Sequence, residues 1–388
     1  MAVTRAVVEA DVVRYTAVFR VGPGPFDSIV ITRVVREHAP GAPIQTRAPM
    51  FLIHGSTIAF DAQFVTRGGA PRGFAAWLAS RDIDVWGIDM RFTQVPATAT
   101  DFQSMSAWDF QTDIADTMLA TRFARHARRL TAQRYGPLHC LGFSNGASVA
   151  YAIGNAEATL DEKDRDVRTL IPVDTVYALS SEHESERALT CGMAAAQAAL
   201  IELGNLAASN AGIVQVAQLA RTRPGDPSPF NTRYTNAQFA LLQACSASLA
   251  PFPFHRFACV SDADGLPLDG RFTPAGTIFD ALASSAPFRN RSGTRDYFAI
   301  PCGEADLPYD DNLASIRLPV LYVAVAGGFG LAGLDTLDRL GSTDVTSLVV
   351  KLRPGAPATQ EFGHVDTFLA SNAPDDVWTP ILDWVLLH

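Results

Sequence analysis

The chain has 388 residues and a formal net charge of −9, with 48% hydrophobic and 18% charged residues. Its length reads as two domains or as one large α/β domain carrying an insertion, and a charged fraction below the typical quarter or so points to a greasy substrate. The acidic balance and scattered arginines argue against nucleic acid or anionic membrane as a main partner, and no apolar run of about 18 residues offers a membrane span.

Residues 1–14 contain no apolar stretch of signal-peptide type, so as written the chain reads as cytoplasmic, with a secreted or periplasmic location left open if a leader was removed. Tyr15 to Val21 and Ser28 to Val35 read as two antiparallel strands joined through the turn Gly22-Pro23-Gly24-Pro25. Met50 to His54, Ile83 to Asp89, Leu138 to Gly142 and Thr169 to Asp174 follow as short, mainly apolar runs that read as buried parallel strands. Helix patterns lie between them near Gly73 to Ser80, Asp109 to Arg129 and Ala147 to Ala156. After Asp174 the rhythm stops for roughly 130 residues, and it resumes with Leu318 to Val325 and Val345 to Leu352.

The most informative segment is Gly142-Phe143-Ser144-Asn145-Gly146, a Gly-x-Ser-x-Gly turn between a strand and a helix. A turn this sharp strains the serine backbone and needs small neighbours, supplied by Gly142, Gly146 and Ala147. It would expose the serine hydroxyl beside the first N-H groups of a helix, which is a nucleophile's position.

Reactive groups in open α/β sheets sit beyond the carboxyl ends of the strands. Those positions hold His54-Gly55-Ser56-Thr57, Asp89-Met90-Arg91, the serine turn, Val173-Asp174-Thr175 and Phe362-Gly363-His364-Val365-Asp366. With His-Gly, Asp-x-Arg, Gly-x-Ser-x-Gly and Gly-His in that order, the chain resembles the α/β-hydrolase family over roughly residues 10 to 178 and 310 to 388. The resemblance implies a mostly parallel eight-stranded sheet flanked by helices, with a core of residues 1–178 and 306–388 and a large, mainly helical cap (lid) at 179–305 inserted after strand six.

It also implies roles for particular residues. Ser144 would be the nucleophile and His364 the general base, with the backbone N-H groups of Ser56 and Asn145 forming the oxyanion hole. His54 and the Asp89-Met90-Arg91 turn would be structural; Asp366, two residues after His364, itself reads as a cap of the last helix or as a partner of a neighbouring polar group. The acid partner of the histidine departs from the family pattern, because the loop after strand seven reads Gly327-Gly328-Phe329-Gly330. Asp174, at the end of strand six, is the favoured candidate, with Asp335, a Glu such as Glu361, or no acid at all as alternatives.

The insertion carries Phe230, Phe239, Phe252, Phe254, Phe257, Phe272, Phe279 and Phe288, which serve either its own core or a pocket wall. Cys191, Cys245, Cys259 and Cys302 could form two bridges or remain buried thiols. The resulting expectation is a serine hydrolase that cleaves carboxylic esters of a hydrophobic small molecule through an acyl-enzyme, without metal or organic cofactor. A thioesterase, lactonase, acyltransferase or cyclase would use the same residues, and a non-catalytic ligand-binding protein on this fold is the alternative of another class.

Overall fold

The computed structural model describes residues 3–40, 43–65, 73–131, 133–246 and 254–388; Phe252 lies outside them. A nine-stranded sheet dominates. Its strands are β1 (Val3–Glu9), β2 (Val12–Arg20), β3 (Ser28–Arg36), β4 (Ala48–Ile53), β5 (Ile83–Asp89), β6 (Leu138–Phe143), β7 (Val167–Val173), β8 (Val320–Val325) and β9 (Val345–Val350). They lie in the order β1-β2-β3-β5-β4-β6-β7-β8-β9. The pairs from β5 onward are parallel, while β1, β2 and β3 run antiparallel to their neighbours.

The ninth strand, β1, is absent from the eight expected. Its first five residues are exposed, so it lacks the apolar face that makes a strand visible in a sequence. As an edge strand it needs only β2 as a partner, and Arg5 anchors it by an ion pair with Glu37.

Period-two geometry explains why an inner strand such as β4 is apolar at successive positions. In β4, Met50 and Leu52 face one hydrophobic core with α1 (Gly73–Ala79), whereas Phe51 and Ile53 face another with α2 (Phe110–Leu130) and α3 (Asn145–Glu157). Both faces are buried, so neither strand position tolerates a charge without a partner. The Asp109 side chain starts α2 by accepting a hydrogen bond from the Thr112 N-H at 2.8 Å.

Between β7 and β8 the large sheet gains no strand among the described residues. That stretch contains α4 (Glu184–Glu202), α5 (Ala211–Thr222), α6 (Asn236–Cys245), α7 (Ala275–Ala283) and α8 (Arg291–Cys302), with three two-stranded ladders. Two disulfides staple it: Cys191–Cys302 joins α4 to α8, and Cys245–Cys259 joins the end of α6 to a short strand. Cys140 remains a buried free thiol in β6. Closing loops of 111 and 14 residues restricts the unfolded chain, and each bridge should contribute about 2 to 4 kcal/mol. Reductant should therefore lower the denaturant midpoint, and pairwise Cys→Ser variants should reproduce that loss without added reductant. No helix of the described residues is long and apolar enough to cross a membrane.

Candidate active site

Ser144 occupies the turn from β6 into α3 at φ +55°, a left-handed conformation that costs a non-glycine residue roughly 1–3 kcal/mol. The turn holds because its surroundings leave no alternative. A methyl group on Gly142 would overlap the backbone of Gly146, and one on Gly146 would overlap the carbonyls of Ile53 and His54. The Ser144 N-H is also fixed to the Val173 carbonyl at 2.9 Å. Asn145 opens α3, so its N-H belongs to the helix terminus beside the serine. The Asn145 side chain is buried, with neither polar atom hydrogen-bonded.

Asp174 and His364 meet across the end of the sheet, with His364 Nδ1 2.6 Å from Asp174 Oδ2. Asp174 is fully buried and, like Ser144, has a positive φ of +46°. Its carboxylate also accepts hydrogen bonds from the Phe329 N-H at 3.2 Å and the Val325 N-H at 3.3 Å. The glycines after β8 now have a physical reason: a methyl group on Gly328 would overlap the Asp174 carboxylate. The loop without a carboxylate of its own is therefore the one that makes room for this aspartate.

The other acid candidates are engaged elsewhere. Asp335 accepts a hydrogen bond from the Ser180 N-H and contacts His183 Nδ1, both at 2.7 Å. Glu361 accepts from the backbone N-H groups of Leu352 and Arg353. Asp366 does more than begin a helix: it accepts from the Gly363 N-H at 2.8 Å, the Ala258 N-H at 3.0 Å and the Thr273 hydroxyl at 2.6 Å. Burial raises its pKa to about 7 against these opposing bonds.

His54 is fully buried; its Nε2 accepts from the Met90 N-H at 3.2 Å and its Nδ1 donates to the Gly55 carbonyl at 2.7 Å. Burial lowers its pKa to about 4. An unfolded chain would take up this proton near pH 6.5 while the folded one resists until about pH 4, so the site loses stability as pH falls through that window. The full difference is about 3 kcal/mol. Chemical denaturation of His54→Gln should show a flatter fall in stability from pH 6.5 to 4 than wild type. Arg91 is likewise structural, pairing with Asp116 and Asp27.

Ser144, His364, Ser56 and Gly55 line one cavity of about 280 Å³. Phe143 stacks on the His364 ring at 4.3 Å, with Phe254 and Phe329 at 4.8 and 5.3 Å. Gln63 holds the Gly55 N-H with its side-chain carbonyl at 3.0 Å, orienting the segment that leads into Ser56. Residues 184–302 supply much of the wall, including Thr190, Met193, Ile213, Leu282, Phe298 and Pro301.

Three features of this site have no motif in the sequence. Tyr297 lies on α8 with its hydroxyl toward those of Thr175 and Ser144, and burial raises its pKa. Thr175 in turn bonds Ser148 at 3.0 Å. The segment Phe254 to Phe257 runs alongside the histidine loop, with the His364 N-H on the His255 carbonyl at 3.0 Å and the Val365 N-H on the Arg256 carbonyl at 2.8 Å. Only a helix-strand register or a long-range contact could reveal these, and no local pattern encodes either. Among the described residues no group of three or more His, Cys, Asp or Glu side chains could hold a metal ion.

The sheet order, the serine turn after β6 and the histidine loop after β9 decide the architecture. This is the α/β-hydrolase fold. No protein-family model and no curated protein sequence matches the chain. A lipase candidate from Sulfolobus solfataricus shares 16% identity at a TM-score of 0.63, with 99% of this chain and 98% of that one covered. A soluble variant of monoglyceride lipase from Saccharomyces cerevisiae, bound to a substrate analog, shares 12% identity at a TM-score of 0.52, with 92% and 91% covered. These likenesses extend over nearly the whole chain.

Proposed function

We propose that the protein is a serine hydrolase acting on carboxylic esters of a hydrophobic small molecule. The observation that carries this reading is the Asp174–His364 hydrogen bond at the wall of the cavity that also holds strained Ser144. The lipases to which the fold is similar support the same class of chemistry. Ser144 Oγ attacks the ester carbonyl as His364 takes its proton, and the N-H groups of Ser56 and Asn145 receive the oxyanion. Collapse breaks the carbon–oxygen bond and His364 returns the proton to the leaving alcohol. Water, deprotonated by His364, then attacks the acyl-enzyme; the acid leaves and Ser144 regains its hydrogen. Asp174 holds the imidazole in one tautomer and stabilises its cation.

In this reading residues 1–178 and 306–388 form the catalytic core, and residues 179–305 form a lid that encloses the substrate. Its apolar wall, with Ile213, Leu282 and Phe298, suits a greasy chain.

A fluorophosphonate probe should label wild type at a single site, and Ser144→Ala should remain unlabelled with an unchanged circular dichroism spectrum. Labelling that persists in Ser144→Ala would remove the serine from its role. Rates on matched oxyester, thioester and lactone substrates then fix the acyl donor, with the oxyester expected to be fastest.

A further inference from the structure

Among the described residues, Arg256 is the one permanently charged residue on the wall of the cavity that contains Ser144 and His364, and no Asp or Glu lines that wall. Buried cations are ordinarily paired, and several buried arginines of this protein are, Arg289 being an exception. Arg33 and Arg128 share Asp84, Arg125 pairs with Asp166, and Arg91 pairs with Asp116 and Asp27. Arg256 has no ion pair and no side-chain hydrogen bond with any described residue. The residues outside the described set include no Asp or Glu, so they supply no counter-ion either.

Two further observations separate Arg256 from an incidental surface arginine. Its backbone is fixed to the catalytic loop: the His255 N-H bonds the Gly327 carbonyl at 3.0 Å, and the Arg256 carbonyl accepts from the Val365 N-H at 2.8 Å. Gly363 is required for this approach, since a methyl group there would come within 2.8 Å of the Arg256 carbonyl oxygen. Its guanidinium nitrogens are also not among the sealed, unbonded polar atoms of the interior, whereas the two terminal nitrogens of Arg289 are. Burial lowers the Arg256 pKa, yet a guanidinium stays charged at neutral pH.

We propose that Arg256 receives a carboxylate carried by the substrate, so that the preferred ester is a monoester of an aliphatic dicarboxylic acid. A single guanidinium, with no lysine or second arginine beside it among the described residues of the wall, matches one negative charge and the two oxygens of a carboxylate. Ile58, Ile213 and Leu282 offer apolar surface for the methylene chain between the scissile carbonyl and the anion. With a net charge of −9, the protein as a whole repels anions. Selection of an anionic substrate would therefore come from this local contact and not from long-range steering.

This inference rests on the serine hydrolase reading, and the experiment separates the two. The substrates are the 4-nitrophenyl monoesters of adipic and suberic acid, each beside its methyl-capped neutral counterpart. Wild type should prefer the free acid about 30-fold in kcat/KM, in line with a charged hydrogen-bonded contact. Arg256→Gln should bring the ratio close to 1, Arg256→Lys should leave an intermediate ratio, and Arg256→Glu should reverse it toward an ester ending in trimethylammonium. A wild-type ratio near 1, or a preference that survives in Arg256→Gln, overturns the proposal. Suberate binding to Ser144→Ala, followed by calorimetry, should be lost in Ser144→Ala/Arg256→Gln; equal binding by both also overturns it. Fluorophosphonate labelling of each single Arg256 variant reports the fold and Ser144 independently of the carboxylate contact. Absence of labelling in wild type would instead remove the serine hydrolase reading, while suberate binding would still decide the role of Arg256.

Discussion

Asp174→Asn is expected to lower kcat about 10⁴-fold on a neutral ester such as 4-nitrophenyl butyrate, with KM little changed. The amide is nearly isosteric and keeps an acceptor for the Val325 or Phe329 N-H. What it removes is the charge facing His364 Nδ1 at 2.6 Å. An amide N-H turned toward the ring would hold the imidazole in the wrong tautomer, leaving Nε2 protonated and unable to accept the serine proton. Asp335→Asn should leave kcat within about 3-fold, because Asp335 bonds Ser180 and His183 rather than His364 and its loss would fall on local stability, not on the reacting groups. Stopped assays on both variants, with circular dichroism to establish the fold, make the comparison. A large loss in Asp335→Asn alone would move the acid role away from Asp174.

The parallel half of the sheet was legible in the amino-acid sequence because burial on both faces forces each strand into an apolar run bounded by turn residues. Met50 to Ile53 and Leu138 to Phe143 are such runs. The edge strand β1 was not legible, since Val3 and Val7 are exposed and Thr4 and Arg5 lie between them. Within the candidate site, Ser144 and His364 stand at strand ends with glycines that the backbone geometry demands, so each announces itself locally. Asp174 does so only weakly. Its place is set by the space left over Gly328 and by N-H groups from residues 325 and 329, which are remote in the chain.

Arg256 and Tyr297 carry no local signal at all. Both lie in the stretch between β7 and β8, where helices and short ladders follow no single period. Arg256 reaches the histidine loop through an unpredictable strand-like pairing, and Tyr297 depends on α8 packing against α4 and on the Cys191–Cys302 bridge. The cysteines offered two readings, two bridges or buried thiols, because spacing alone cannot fix which pairs approach. A pocket wall assembled from the residues between β7 and β8 is a property of tertiary packing, and it becomes readable only once that packing is known.

Gly328→Ala should lower kcat by about 10² to 10³-fold while leaving the sheet intact. The residue has no side chain because Asp174 fills the space a side chain would use. A methyl group there must push the carboxylate away, and the carboxylate cannot retreat freely. It is fully buried and held by the Val325 and Phe329 N-H groups, and its own backbone sits at φ +46°. The displacement falls on the bond to His364, and an error of about 1 Å in a catalytic group costs on the order of 10²-fold. Gly328 is not itself at a positive φ, so alanine meets no backbone penalty and the effect is steric. The parallel control is Gly276→Ala in α7, where a methyl group meets nothing within 4 Å. That substitution should leave kcat unchanged and raise helix stability slightly. If Gly328→Ala retains full turnover, the carboxylate does not have to occupy that position for the chemistry, and the Asp174 assignment loses its steric support.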